Sequence, residues 1–249
     1  MKTVLLTGAD RGLGLALARE YLARGYTVFA GRFLPEYALL DALHEAYPDR
    51  LFPVPLDVSD RQSILEARRE VERHADHLDA FVSDAAYMGG PENSRIRGPE
   101  PIDPELLCKS VRVNALGALQ CVDVFLPLLD RGREKRLCFI SSEVSSVALM
   151  QRDGDFRYCM SKTALNIAVR MLHNTLYPRG YSFRLYQPGW MRRQNPDGSL
   201  LTRDARQIDP AFSAARHAPV HRDAPGRGAA GAGGLPGQHL ALLKEGKER

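Results

Sequence analysis

Short apolar runs alternate with longer stretches of helical periodicity along the first ninety residues. Val4-Leu5-Leu6 reads as a strand buried on both faces. From Leu13 to Arg24 the apolar positions Leu13, Ala16, Leu17, Tyr21 and Leu22 recur at helical spacing, and Gly25 ends the helix as a left-handed C-terminal residue. Tyr26–Ala30, Leu51–Val54 and Leu78–Val82 supply the next three strands, and Ser59 with Gln62 has the capping-box spacing that opens a helix to about His74. Past a Gly/Pro-rich loop (Gly89 to Pro101), Asp103 and Pro104 suit the N-cap and first turn of a long helix reaching about Leu129. Arg136–Ser141 is a fifth strand, Tyr158–Leu176 a second long helix stopped before Pro178, and Tyr181–Tyr186 a sixth strand. Strands and helices in this alternation predict an α/β fold, a doubly wound parallel sheet in one domain over residues 1–190.

The pattern stops near residue 190. In residues 216–237 fourteen of twenty-two positions are Ala, Gly or Pro, and Val220 and Leu235 are the only larger apolar side chains. Too little surface is available there to offset the entropy of ordering, so residues 191–249 are expected to form an irregular C-terminal region, with His239–Leu243 the one late element.

Charge narrows the class of partner. The whole excess of +4 lies in residues 191–249, because residues 1–190 carry 24 basic and 24 acidic side chains. A neutral body argues against nucleic-acid binding. The four cysteines (Cys108, Cys121, Cys138, Cys159) show no CxxC spacing and read as reduced, buried thiols. Thr3–Leu6 is too short an apolar run for a signal peptide, and no stretch of about 20 apolar residues is seen. A cytoplasmic protein with no membrane partner is expected. His217 and His221 are separated by Pro219 and have no further ligand nearby in the sequence, so no metal site is expected.

Chemistry first enters at the turn between the first strand and its helix: Thr7-Gly8-Ala9-Asp10-Arg11-Gly12-Leu13-Gly14. Glycines let a backbone turn tightly and approach a pyrophosphate, whose charge the helix N-terminus receives. Just beyond the second strand stands Arg32, where an NAD site would offer an acidic residue to the ribose. A guanidinium there suits a 2′-phosphate, with Arg11 as a second cation, so NADP(H) is expected in preference to NAD(H).

Tyr158 and Lys162 are one helical turn apart, and Ser141-Ser142 closes the fifth strand at the sheet edge where ligands collect. An ammonium beside a phenol is expected to lower the phenol's pKa toward a value useful in proton transfer. In order along residues 1–190 stand Thr7-Gly8-x3-Gly12-x-Gly14, Leu56-Asp57-Val58, Asn114, Ser142, Tyr158-x3-Lys162 and Pro188-Gly189-Trp190. Together they resemble the short-chain dehydrogenases/reductases of the single-domain, Rossmann-fold kind. The wording of Tyr158–Asn166 and the sixteen-residue step from Ser142 to Tyr158 are similar to the C-factor and carbonyl-reductase-like members.

The resemblance implies an oxidoreductase moving hydride between NADP(H) and a carbonyl or alcohol group of a small organic substrate. Tyr158 would be the general acid or base, Lys162 would lower its pKa and bond the nicotinamide ribose, and Ser142 would hold the substrate oxygen, with Ser141 and Ser145 as lesser candidates. Asn114 would hold a water in the proton relay. The loop residues Gly8, Asp10, Arg11, Gly12, Leu13 and Gly14 would cradle the cofactor, Asp57 and Val58 would flank the adenine, Asp84 and Ala85 would line the cofactor, and Pro188, Gly189 and Trp190 would border the nicotinamide. A homodimer or homotetramer is implied as well. Three departures stand out: Ser83-Asp84-Ala85-Ala86 replaces the family's Asn-Asn-Ala-Gly, Asp10 stands where relatives often carry Asn, and the atypical tail stands where the family builds its substrate-covering helix and a seventh strand. They motivate an alternative, a non-catalytic NADP(H)-binding protein of the same fold.

Overall fold

The computed structural model describes residues 1–89, 95, 96, 98 and 102–217. Six strands form one parallel sheet: β1 (Lys2–Thr7), β2 (Tyr26–Arg32), β3 (Leu51–Pro55), β4 (Ala80–Ser83), β5 (Arg136–Ile140) and β6 (Ser182–Tyr186), in the spatial order β3-β2-β1-β4-β5-β6. Strand side chains alternate between two separate cores, as the period-2 geometry requires. Leu5, Phe29, Phe81 and Leu137 face one side and join Ile64, Val71, Val122, Phe125 and Leu165. Val4, Leu6, Val28, Val82 and Cys138 face the other and join Leu17, Leu22, Leu40 and Leu43. With both faces covered, the sheet has the doubly wound architecture expected of it.

Strand order reverses at β1. The chain runs outward through β2 and β3, then returns to pair β4 with the other edge of β1. A crevice therefore opens beyond the C-terminal ends of β1 and β4. The helices that frame it are α1 (Gly12–Ala23), α2 (Leu39–Ala46), α3 (Arg61–Glu72), α4 (Pro104–Val111), α5 (Gly117–Arg131) and α6 (Phe156–Leu176).

Several local features differ from the sequence reading. The N-cap of α3 is Asp60, whose carboxylate accepts the Gln62 amide at 2.9 Å, while Ser59 is drawn to Asp57. Helix α2 was not foreseen because only Leu40 and Leu43 of its eight residues are buried. The long helix from Asp103 is broken by a π-helical turn, Arg112–Leu116, that carries Asn114. Its full helical run, Pro104–Arg131, is long and apolar enough by composition to cross a membrane. Here that apolar character is spent on the core, with Cys121, Val122, Phe125, Leu128 and Leu129 at 1% exposure or less.

Of the region expected to be irregular from residue 191, the described part up to 217 is more ordered than its composition suggests. A two-pair antiparallel hairpin joins β7 (Arg193–Gln194) to β8 (Leu200–Leu201), and α7 (Pro210–His217) packs on α1. The apolar anchor is Ala214, fully buried in the second core. The Gly/Ala/Pro-rich stretch and His239–Leu243 lie outside the described residues.

Candidate active site

At the end of β5 the chain passes through Ser141 and Ser142 into a single 3-10 turn, Glu143–Ser145. Ser142 hydrogen-bonds the Tyr158 phenol, and burial pushes that phenol up to about 12. One turn further on, Lys162 is 2% exposed, with Nζ donating to the Ile140 carbonyl at 2.9 Å and lying 5.7 Å from the Tyr158 ring centroid. Burial also lowers the Lys162 ammonium to about 8. The expected depression of Tyr158 by Lys162 is thus not what this geometry gives: the ammonium is turned to a backbone carbonyl, and loss of water outweighs the hydrogen bond from Ser142. At neutral pH Tyr158 keeps its proton.

The lesser serine candidates are engaged elsewhere. Ser141 Oγ donates to Asn166 Oδ1 at 2.7 Å, Asn166 Nδ2 donates to Ser145 Oγ at 2.7 Å, and Ser145 Oγ donates to the Ser142 carbonyl at 2.5 Å. This closed, buried network fixes the backbone on which Ser142 stands. Asn166 has no role in the sequence reading, although its spacing of four from Lys162 and eight from Tyr158 put it on their helix face. Asn114 is similarly occupied: Oδ1 accepts the Tyr87 amide at 2.6 Å, and Nδ2 donates to the Tyr87 carbonyl at 3.0 Å and to Ser161 Oγ at 2.9 Å. It ties the segment after β4 to the helix of Tyr158 and Lys162.

On the other side of the crevice the glycine loop has the form of an anion cradle. Gly8 and Gly12 adopt left-handed φ of 69° and 59°, and a Cβ on Gly14 would sit 2.1 Å from the Gly8 carbonyl oxygen. Thr7 Oγ1 accepts the amides of Asp84 and Ala85 at 3.1 Å each, bracing the loop to β4. A Cβ on Gly12 would meet nothing within 4 Å, and α1 begins there without a cap from its own Arg11 side chain. A glycine turn that leads straight into a helix N-terminus fits a dinucleotide pyrophosphate.

Asp84 joins the two sides. Its carboxylate accepts the Gly14 N–H and feels the Lys162 charge, yet burial raises it to about 7. Asp10, also raised by burial, accepts the Phe33 and Leu34 amides at 3.1 Å and so clamps the loop after β2. Both departures from the family wording have become backbone clamps.

Residues 2–197 match the family model described as short chain dehydrogenase. The chain belongs to the short-chain dehydrogenase family. Among relatives of this dehydrogenase, an uncharacterised oxidoreductase of Schizosaccharomyces pombe is 30% identical over 190 residues, covering 76% of this chain and 73% of that one. The C-signal protein of Myxococcus xanthus is 34% identical over 106 residues, covering 42% and 64%. Among solved structures, a carbonyl reductase from Pseudomonas aeruginosa in complex with NADP is 28% identical, with a TM-score of 0.71 over 86% of this chain and 88% of that one. The dehydrogenase is thus an oxidoreductase of Rossmann-like fold with a nicotinamide dinucleotide site.

The remaining predicted residues of the dehydrogenase are placed by local contacts. Leu13 is buried in the core beside the loop, and Val58 packs where Gly117 leaves room for it. Asp57 accepts Ser59 at the start of α3. The Pro188 carbonyl accepts Ser213 Oγ at 2.7 Å, Gly189 is left-handed at 92°, and the half-exposed Trp190 ring lies 5.4 Å from the Arg206 guanidinium. Arg32 makes a bidentate pair with Asp41 of α2 at 2.7 Å on both arms, and Arg11 lies 5.0 Å from the Tyr37 ring centroid. Gln194, which sequence reasoning passed over, places Oε1 2.7 Å from the Gly12 amide nitrogen. No local signal in its neighbourhood announces a contact across 182 residues.

Proposed function

We propose that the protein interconverts a carbonyl and an alcohol on a small organic substrate, with NADP(H) as the cofactor. The observation that carries this reading is the convergence of Ser142, Tyr158 and Lys162 at the β5 edge of the same crevice that the glycine loop borders on the β1 side. When bound, the cofactor would supply or accept the hydride. Ser142 Oγ would hold the carbonyl oxygen, and Tyr158, protonated at neutral pH, would donate Oη–H to it as negative charge develops. The Lys162 ammonium would stabilise the resulting phenolate and replenish its proton. Asn114, with its amide engaged by Tyr87 and Ser161, would serve by holding this helix against the segment after β4.

Arg32 supports the preference for NADP(H). It ends β2 beside the loop, and its buried Nε has no hydrogen-bond partner among the described residues. A 2′-phosphate would share the guanidinium with Asp41. Exposed Ile167 and Met171 line an apolar groove between α5 and α6, which supports a homodimer through these helices. The balanced charge of residues 1–190 supports a protein without a nucleic-acid partner, and burial of the apolar face of Pro104–Arg131 in the core supports one without a membrane partner; the absence of CxxC spacing among the cysteines supports a cytoplasmic location.

The test is incubation of the full chain with NADPH or NADH and a panel of aldehydes and ketones, following absorbance of the reduced cofactor. Consumption of NADPH that requires Tyr158 supports the reading. Binding without consumption of either cofactor on any substrate would instead favour the non-catalytic alternative.

A further inference from the structure

The Gly12 amide is the first N–H of α1, and it already has an acceptor. Gln194 Oε1 lies 2.7 Å from it, the Gln194 carbonyl is 3.4 Å from Arg11 Nη1, and the same carbonyl is 3.5 Å from the Tyr37 hydroxyl. One residue of the β7–β8 hairpin therefore engages both an N-terminal amide of the helix and the loop's cation. These are the kinds of group that receive a phosphate.

We propose that the β7–β8 hairpin is a built-in competitor for the cofactor, with Gln194 standing in for a phosphate oxygen at Gly12 until a dinucleotide displaces it. The proposal rests on the cofactor reading above. A neutral amide oxygen makes a weaker partner for a helix N-terminus than an ionised phosphate, so the exchange runs in the ligand's favour. The hairpin is built to move at its tip and stay at its base. None of residues 191–201 is buried, and the strands share only the pairs Arg193↔Leu201 and Gln194↔Leu200. Gln194 Nε2 donates to the Gly198 carbonyl at 3.2 Å, so the side chain that caps Gly12 also closes its own turn. At the base, the Arg192 amide donates to Ile208 O at 2.9 Å and the Ile208 amide donates to Trp190 O at 2.8 Å. Just before it, the Pro188 carbonyl is held by Ser213. Few apolar contacts at the tip and paired backbone at the base make local opening cheap there.

The experiment compares the full-length protein with its Gln194→Ala variant by calorimetric titration with NADPH. Loss of one intramolecular acceptor should tighten NADPH binding roughly three- to tenfold. Unchanged or weaker binding overturns the proposal, the latter by making Gln194 a ligand of the cofactor. A second measurement needs no variant: amide hydrogen exchange over residues 193–201 of the unmodified protein should accelerate on adding NADPH, and slower exchange overturns the proposal. Equal affinity in both proteins sinks the competition alone. No binding by either folded protein sinks the functional reading and the competition with it.

Discussion

At the end of β5 protein partners position the proposed reacting groups for one another: Asn166 fixes the backbone of Ser142, and Ile140 takes one donor of Lys162 while Ser142 and Tyr158 face one another. At the end of β1 the arrangement is reversed. The groups suited to a phosphate are themselves engaged, Gly12 by Gln194 and Arg32 by Asp41. The proton-transfer corner is organised in advance, whereas the phosphate corner keeps its donors satisfied with internal substitutes. A donor left bare in such a crevice costs free energy, and an internal acceptor offsets that cost at the expense of affinity.

Four measurements would break or sharpen this contrast. Tyr158→Phe removes the proton donor and should lower kcat by about 10³-fold with NADPH affinity unchanged by titration. A comparable loss of affinity would show that the two corners are not separable. Ser142→Ala should reduce kcat about 10²-fold in the same assay, because it withdraws one donor from the developing oxyanion. Equal turnover would move that role away from Ser142.

Asp84 lies between the corners and is tested by pH. Its carboxyl is raised from 3.8 to about 7 in the folded protein, so the neutral form is the favoured one. The associated stability is complete below about pH 4 and is lost as pH rises through about 7. Asp84→Asn cannot ionise, and its Tm relative to the parent should climb by a few degrees between pH 4 and pH 8. A pH-independent difference would mean that the carboxyl titrates normally. The smallest effect belongs to Asp41→Ala. Freeing Arg32 from a half-buried ion pair should tighten NADPH roughly threefold and leave NADH alone. Equal changes for both cofactors would detach Arg32 from the 2′-phosphate.

What could be read along the chain was what local spacing controls. Six strands, the glycine turn, and the Tyr158–Lys162 pair all depend on residues within a few positions of one another, and each was legible. Ser142 could be named, but its preference over Ser141 and Ser145 is decided by Asn166, more than twenty residues away. The Asp60 cap, against the expected Ser59, turned on Asp57 capturing Ser59 first. Helix α2 buries too few side chains to show a periodicity, and the π-helical turn at Asn114 leaves none. Gln194 and Asp41 were invisible because their importance lies in what they touch, and both act across tertiary contacts. The tail reading extended to residues 191–217 a composition counted over 216–237, whereas Pro210, Ser213 and Ala214 are buried and seat α7.

That seating matters for anyone trimming the gene. Ala214 plugs the outer face of α1, and Ser213 grips the turn just ahead of Trp190. A fragment ended at residue 190, where the sequence changes character, would expose greasy surface on the very helix that follows the glycine turn. A version that keeps this face covered must retain Ser213 and Ala214 of α7.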